Sequence, residues 1–472
     1  MDEYTMRELK TIFFTLSSSL VFRNLFFFPG SVFHKLLEKI NEDPNLQVVF
    51  LVQKRDYEKY LPFFASHLSD RIILEKASPA KIENIFQKIF YFFYSYLIYT
   101  GTTRTLATLG VRPDEPPAGG KMYLAPIKIF IARTFGRSKL IKAKIVPAIY
   151  LLLFKGKDFT PLFSKYNPSL IFLGHIYGQF DTKLLGEAKR QSVKTVGMIS
   201  NWDHFDKYYL PLKPDFLLAQ SEQIKDMAVK FQSYDPTTIS IVGYPHVDFI
   251  VNEKHATTRG EILKDLGFSE NSKYILYISG SAYCPDEPDT IENILKWADE
   301  GKFGFDVRLV IRPYLGGRGA DRDFDEKKYN RFEEHPRVVF YKKEFWGDLP
   351  KSTQFINIMR HADAVISIYS TAVLEAAALN RPLVGIGFDG YHARLFNRSI
   401  KRFMLREHFH DVLNSGAVST AQNFPDLFNI LDSYLKNPHL HERERDKMFE
   451  RLCYKRDGKA SERIVDRLFS EL

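Results

Sequence analysis

Cysteine is close to absent: 472 residues contain two, Cys284 and Cys453, far apart in the chain. That excludes a disulfide framework and a cysteine-built metal site, and it fits a reducing cytoplasm. Long unbroken apolar runs are missing too. The most hydrophobic early stretch, Thr11 to Phe28, is interrupted by Ser17-Ser18-Ser19 and by Arg23-Asn24. A strand, a polar turn and a helix explain it better than a membrane span. The opening Met-Asp-Glu lacks the basic lead, apolar run and cleavage site of a signal peptide. No Asp-x-Asp signature of a metal site stands out, since "DRDFDE" (Asp321 to Glu326) reads as a solvated loop.

Acidic residues are scarce in one place. Between Asn84 and Lys157 stand twelve Lys or Arg, among them Lys128, Lys139, Lys142 and Lys144, against Asp114 and Glu115 alone. The segment is +10, and the rest of a chain whose total is +9 is therefore −1. It also carries "IFYFFYSYLIY" (Ile89 to Tyr99) and "AIYLLLF" (Ala148 to Phe154), in a chain rich in Phe (41) and Tyr (25). Aromatic bulk beside unopposed cations suits the interface of an anionic membrane. Nucleic acid ranks below it and is not expected as a partner, because neither run resembles a nucleic-acid module. The plain alternative is that the aromatics fill a core and the cations solvate the outside.

What remains is ordinary for a folded protein, with 45% hydrophobic and 26% charged residues. The length calls for two domains. Strand and helix patterns alternate: "LKTIFFTLSSS", "NLFFFPGSVFHKLLEKI", "LQVVFLV", then "SLIFLG", a helix over 182–191, "KTVGMIS", "PDFLLAQ", a helix over 221–231 and "TISIVGYP". After residues 244–256 the alternation begins again with "KYILYISGSA", "DTIENILKWADEG", "FDVRLVIRP", "RVVFY", "DAVISIYS" and "PLVGIG". This is βαβ logic, repeated. The expected division is residues 1–250 with a basic aromatic insertion at 84–157, residues 257–455, and a closing helix at 456–472.

One stretch is chemically pointed. In "SIYSTAVLEAAALNRPLVGIG" an apolar strand runs into Ser370-Thr371, the N-cap position of a helix expected to reach Asn380. A strand, a tight turn and a helix N-terminus aim backbone N–H groups at one point, which suits a phosphate. Glu375 lies one turn further in, where a carboxylate can take hydrogen bonds from a ribose diol. A capped helix with one solvated Glu is the other reading.

"SNWDHFDKYYLPLKPDFLLAQSEQIKDMAVKF" followed by "TISIVGYPHVDF" resembles a segment of bacterial cell-surface glycosyltransferases and CDP-glycerol glycerophosphotransferases. Its marks are Trp202-Asp203, Pro214-Asp215, Gly243, Pro245 and Asp248. "SIYSTAVLEAAALNRPLV" resembles their donor-binding strand–turn–helix, and "DGKASERIVDRL" their closing helix, which UDP-GlcNAc 2-epimerases share. The resemblance implies an α/β protein of the GT-B fold: two Rossmann-like, doubly wound domains facing a central cleft. A nucleotide-diphosphate sugar donor would lie on the C-terminal domain. Ser370 and Thr371 would bind its phosphates, Glu375 its ribose, and Gly280 and Ser281 would approach the diphosphate closely. Arg312, at the end of "VRLVIRP", would neutralise the leaving phosphate; an exposed strand-end Arg is the alternative. Relatives often carry a His after this Arg-Pro, where this chain has Tyr314-Leu315-Gly316-Gly317.

Such a reaction needs a base for the acceptor hydroxyl and stabilisation of the departing diphosphate. Helix dipoles and Arg can do the second, so no metal and no cofactor is expected. Asp203 and His204 follow a strand end and are the candidates for the base, Asp203 first, with His175 after them. The alternative for Asp203 is a turn cap, with Trp202 packed beside it. Arg23 and Asn24, after the first strand, would hold the acceptor. The expected function is a cytoplasmic transferase, peripheral on the inner face of the membrane, passing a sugar to a lipid-linked or cell-envelope glycan acceptor. Glycerol- or ribitol-phosphate transfer from a CDP-alditol is the alternative within transferases, and a nucleotide-sugar 2-epimerase the alternative outside them.

Overall fold

The computed structural model describes residues 9–78, 82–108, 124–281, 283–314, 316, 320–342, 348–367, 370–396 and 398–472. Two compact units emerge: Met1–Tyr99 with Lys128–Phe249 and Asp457–Leu472, and Thr100–Ile127 with Ile250–Arg456.

The first unit is built on β1 (Lys10–Leu16), β2 (Leu46–Gln53), β3 (Ile72–Ala77), β4 (Leu170–Leu173), β5 (Lys194–Met198), β6 (Phe216–Ala219) and β7 (Ile239–Ile241). Their order is 3-2-1-4-5-6-7 and every pairing is parallel. Ile12 of β1 is level with Val48 on one side and Leu170 on the other. Near-continuous apolar runs are what a parallel sheet covered on both faces requires. Phenylalanine does much of the packing: the Phe14 ring lies 4.4 Å from Phe172, 5.4 Å from Phe26 and 5.6 Å from Phe50.

The closing helix, Ala460–Phe469, puts Ile464, Val465 and Leu468 into this same core. Burial of side chains this size is worth about 1.5–3 kcal/mol each. Its start is capped from a distance in sequence, because the Asp248 carboxylate accepts the backbone N–H of Ala460 at 2.9 Å and of Ser461 at 2.8 Å. Gly243, with φ +91°, turns the chain into the helix Pro245–Val251 that carries this Asp. The Gly-x-Pro-x-x-Asp element and the closing helix are one structural device.

The second unit holds β8 (Lys273–Ile278), β9 (Val307–Arg312), β10 (Val338–Phe340), β11 (Ala364–Ser367), β12 (Leu383–Ile386) and β13 (Val418–Ala421). The order is 10-9-8-11-12-13, again all parallel. Each unit is a Rossmann-like domain whose strand order reverses once, between β1 and β4 in the first and between β8 and β11 in the second.

Several expectations are corrected. Residues 84–157 are not one insertion of the first unit, since Thr100–Ile127 groups with the second. Helix Gly101–Thr108 lies against residues 400–405: a Cβ on Gly101 would sit 1.6 Å from the Leu405 carbonyl oxygen, and Thr102 Oγ1 accepts the Glu407 N–H at 3.1 Å. "DRDFDE" is not a loop but part of helix Ala320–Lys327, supported by an Arg322–Glu326 ion pair one turn apart, with Asp325 buried. Of the twelve cations, Lys128 and Lys142 are buried, their ammonium groups 4.9 Å and 5.1 Å from the rings of Tyr96 and Tyr209. Arg112, Asp114, Glu115, Lys121, Leu315 and Gly317 lie outside the described residues. Among the described residues no helix is long and apolar enough to cross a membrane.

Candidate active site

In the second unit the expected donor residues fall on three neighbouring strand ends at the switch point. Gly280 and Ser281 follow β8, Arg312 ends β9, and Ser370 and Thr371 follow β11. Beneath the β8 loop lies a buried group that sequence reasoning missed. The Glu287 carboxylate accepts the Gly280 N–H at 2.9 Å, Ser279 Oγ at 3.0 Å and Tyr329 OH at 2.9 Å, and pairs with Lys328 Nζ at 2.5 Å. Lys328 also reaches the carbonyls of Gly280 and Ser281, and Ser281 Oγ donates to Asp325 at 3.1 Å. Nothing in the sequence links residue 287 to 328; only the fold does.

This changes the reason for Gly280. Its N–H is already engaged by Glu287, and a Cβ there would meet Cys284 Sγ at 2.9 Å. The loop's own packing requires the glycine. Arg312 is not an exposed strand-end cation: it is 9% exposed, donates to the Pro313 carbonyl at 2.7 Å, and lies 5.8 Å from the Phe355 ring.

The helix after β11 is shorter than expected, Ala372–Ala378, with Asn380 in the left-handed region at φ +52°. Its first N–H groups are used internally. Ala372 N donates to Ser370 Oγ at 3.3 Å, Val373 N to the Ser370 carbonyl and Leu374 N to the Thr371 carbonyl. Ser370 Oγ also bonds Ser367 Oγ at 2.9 Å. Thr371 occupies the N-cap position without a side-chain capping bond. Glu375 is half-buried. Burial raises the Cys453 thiol pKa; Arg456 opposes this shift, and the nearby Glu375 carboxylate adds to it.

In the first unit the expected acceptor-side residues form a connected chain at the β1/β4 switch. Arg23 Nε donates to Asn24 Oδ1 at 3.0 Å, and Asn24 Nδ2 to the Ser200 carbonyl at 3.0 Å. Ser200 Oγ meets His175 Nδ1 at 2.6 Å. The His175 and His204 rings are 5.1 Å apart, and His204 Nε2 is 3.9 Å from Asp203 Oδ1. Asp203 is ion-paired with Lys207 one turn on, and Trp202 is packed at 2% exposure. Burial, reinforced by His204, pushes His175 down to about 3, which makes it a neutral and weakly basic imidazole. Under this group lies Asp181, fully buried, accepting Thr15 Oγ1 at 2.5 Å and the His175 N–H at 3.3 Å; burial pushes it up to about 6.

A cavity of about 250 Å³ borders His175 and His204, with Tyr91, Tyr94, Tyr177 and Lys207 in its wall. The second unit has a cavity of about 480 Å³ at the ends of β12 and β13, lined by Phe388, Arg394 and Asn423 among others. Beside it Asp286, Asp289 and His392 cluster, with Asp286 already paired to Arg394 at 2.8 Å.

Residues 327–470 match the family model described as CDP-Glycerol:Poly(glycerophosphate) glycerophosphotransferase. Among solved structures the chain is similar to a putative UDP-N-acetylglucosamine 2-epimerase from Listeria monocytogenes, at 14% identity and TM-score 0.52, over 98% of this chain and 96% of that one. The UDP-GlcNAc 2-epimerase of Methanocaldococcus jannaschii (13% identity) and a glycosyltransferase from Rickettsia africae (10%) each give TM-score 0.51 over 98% of this chain and 99% of theirs. A comparison with curated proteins finds no match. At such identities the likeness is one of fold, and the fold is GT-B. The glycerophosphotransferase match over residues 327–470 supports a transferase enzyme.

Proposed function

We propose that the protein transfers a sugar from a nucleotide-diphosphate donor to a lipid-linked or cell-envelope glycan acceptor at the cytoplasmic face of a membrane. The observation that carries this reading is the convergence of Gly280, Ser281, Arg312, Ser370 and Thr371 on adjacent strand ends at the switch point of the second unit, where open α/β sheets take ligands. In this reading Arg312 and the Ser370 and Thr371 hydroxyls meet the diphosphate, and Glu375 meets the ribose. Asp203 takes the acceptor proton, and Arg23 and Asn24 orient the acceptor through the chain that ends on His175. Transfer of an alditol phosphate from a CDP-alditol is the second reading, favoured by the glycerophosphotransferase match over residues 327–470.

The membrane part rests on the first unit's surface. Ile85 (60%), Phe86 (70%), Ile89 (60%), Phe130 (58%), Leu140 (60%) and Leu152 (72%) are exposed in the basic segment, where Lys88, Arg133, Lys139 and Lys144 are exposed as well. Apolar side chains left in water beside cations fit an anionic interface.

A thermal-shift screen of UDP, GDP, CDP, CMP and dTDP tests the donor. A true ligand at about 100 times its Kd adds roughly 2.7 kcal/mol of stability. A diphosphate nucleotide other than CDP supports sugar transfer and CDP supports the alditol reading. No shift with any of them refutes both. Co-sedimentation with anionic liposomes tests the membrane reading, and neutralising Lys139 and Lys144 together should weaken it.

A further inference from the structure

The helix Ile85–Ser95 has two uses for its length. Its first turns leave Ile85, Phe86 and Ile89 in solvent, while its last residues, Tyr91, Tyr94 and Ser95, form one wall of the 250 Å³ cavity. The opposite wall is the loop after β4, with His175, Tyr177 and Gln179, and the segment 207–211. This cavity borders Lys207, which pairs with Asp203, and the His175–His204 contact.

The lining excludes two kinds of occupant. An anion such as phosphate needs unopposed positive charge; Lys207 is the lining cation, and it is paired with Asp203. Burial holds His175 neutral as well. An acyl chain needs a wall free of polar atoms, and this one carries tyrosine hydroxyls, Ser95, two imidazoles and an amide. Tyrosine offers a flat apolar face with a polar edge. Gln179 adds a specific demand, because its Oε1 is buried without a hydrogen-bond partner. That oxygen wants a donor, and the dianion of a phosphate monoester has none. A neutral ring with two less polar faces and a rim of hydroxyls meets every one of these conditions. The volume is below the range of drug-sized pockets, so it suits one ring.

We propose that the cavity binds a single pyranose ring of the acceptor, stacked on Tyr91 and donating a hydroxyl to Gln179, with another hydroxyl presented toward Asp203. The term acceptor rests on the transferase reading above; the binding of a pyranose does not. The exposed turns of the same helix would bring the ring's lipid or polymer anchor to the surface at which the helix docks.

The test is saturation-transfer NMR on the full chain with the methyl glycosides of glucose, galactose and N-acetylglucosamine, with inorganic phosphate and UDP followed by thermal shift on the same samples. At least one glycoside should show ring-proton transfer. Tyr91→Ala and Gln179→Leu should each weaken it tenfold or more, Tyr91→Phe should keep it within about threefold, and the nucleotide shift should be unchanged throughout, which also reports that the variants are folded. No transfer from any glycoside, or transfer indifferent to both Tyr91→Ala and Gln179→Leu, overturns the proposal, as does a phosphate-induced shift lost in Gln179→Leu. Glycoside binding with no nucleotide shift would sink the donor reading and leave this one standing; the converse result would do the reverse.

Discussion

Glu287→Gln is a near-isosteric change with a large expected cost. The carboxylate it removes is 2% exposed, receives three hydrogen bonds and neutralises Lys328, itself 1% exposed. Glutamine keeps one acceptor for Gly280 N–H but turns an amide NH₂ toward donors, either Tyr329 OH or the ammonium. Lys328 is then left with the carbonyls of Gly280 and Ser281 at 3.3 Å and 3.5 Å. Breaking a buried pair by removing one partner costs about 3–5 kcal/mol, a large part of a domain's usual 5–15 kcal/mol. With m near 1–3 kcal/mol/M, the urea midpoint of the second unit should fall by roughly 1–5 M. In a Trp202→Phe, Trp346→Phe background, fluorescence from Trp297, packed against Phe303 and Phe428, follows that unit. Glu287→Gln combined with Lys328→Met removes the orphaned charge and should recover part of the loss, so the cycle gives a coupling energy of the order of 1–3 kcal/mol. A single variant whose midpoint stays within 0.3 M of wild type, or a cycle without coupling, refutes the idea that this pair holds the Gly280–Ser281 loop.

Asp203→Asn should lower turnover by roughly 10² or more with nucleotide affinity unchanged; full activity would move the base elsewhere. Asp248→Ala leaves two helix N–H groups unpaired, so it should cost about 0.5–2 kcal/mol and speed amide exchange over Ala460–Phe469; unaltered exchange there would mean the cap is idle. Asp181 is raised to about 6 from 3.8, so its contribution is whole below pH 4 and is lost as pH rises through 6, a change of about 3 kcal/mol. Asp181→Asn should therefore gain on wild type by up to that amount between pH 4 and 7. His175 and His246, both held near 3, act in the opposite sense but are common to the two proteins; parallel stability curves would refute the assignment.

The two Rossmann-like sheets were legible because parallel strands buried on both faces read as apolar runs, as "IFFTL" and "VVFLV" do. Strands such as β3 and β13 were not. Their burial is mixed, Glu75 and Lys76 in one and Ser419 and Thr420 in the other, so neither makes a run. The positions of the candidate residues were legible where they sit next to a strand end in sequence, as with Ser370 after β11 or His175 after β4. Glu287, Lys328 and Asp181 were not, since their importance comes from being buried beneath those ends, and burial of a charge is set by elements far apart in the chain. The basic segment was read as one object because composition is blind to direction. In three dimensions its cations divide into exposed ones and ones such as Lys142 that lie buried against a tyrosine ring.

The donor side also changes what phosphate recognition must consist of. A strand–turn–helix is expected to present free N–H groups, yet here Gly280, Ala372, Val373 and Leu374 all donate within their own loops. Binding a diphosphate through those groups would first require breaking bonds that are each worth about 0.5–1.5 kcal/mol net. Side chains at the strand ends can exchange their present bonds by rotation, without unwinding the turn. Arg312, buried and held against Phe355, is pre-organised and weakly hydrated. The Ser370 hydroxyl can exchange its bond with Ser367 for one to a phosphate oxygen by a rotation. On the proposed donor reading, this arrangement favours recognition by a guanidinium and hydroxyls over recognition by a nest of amides.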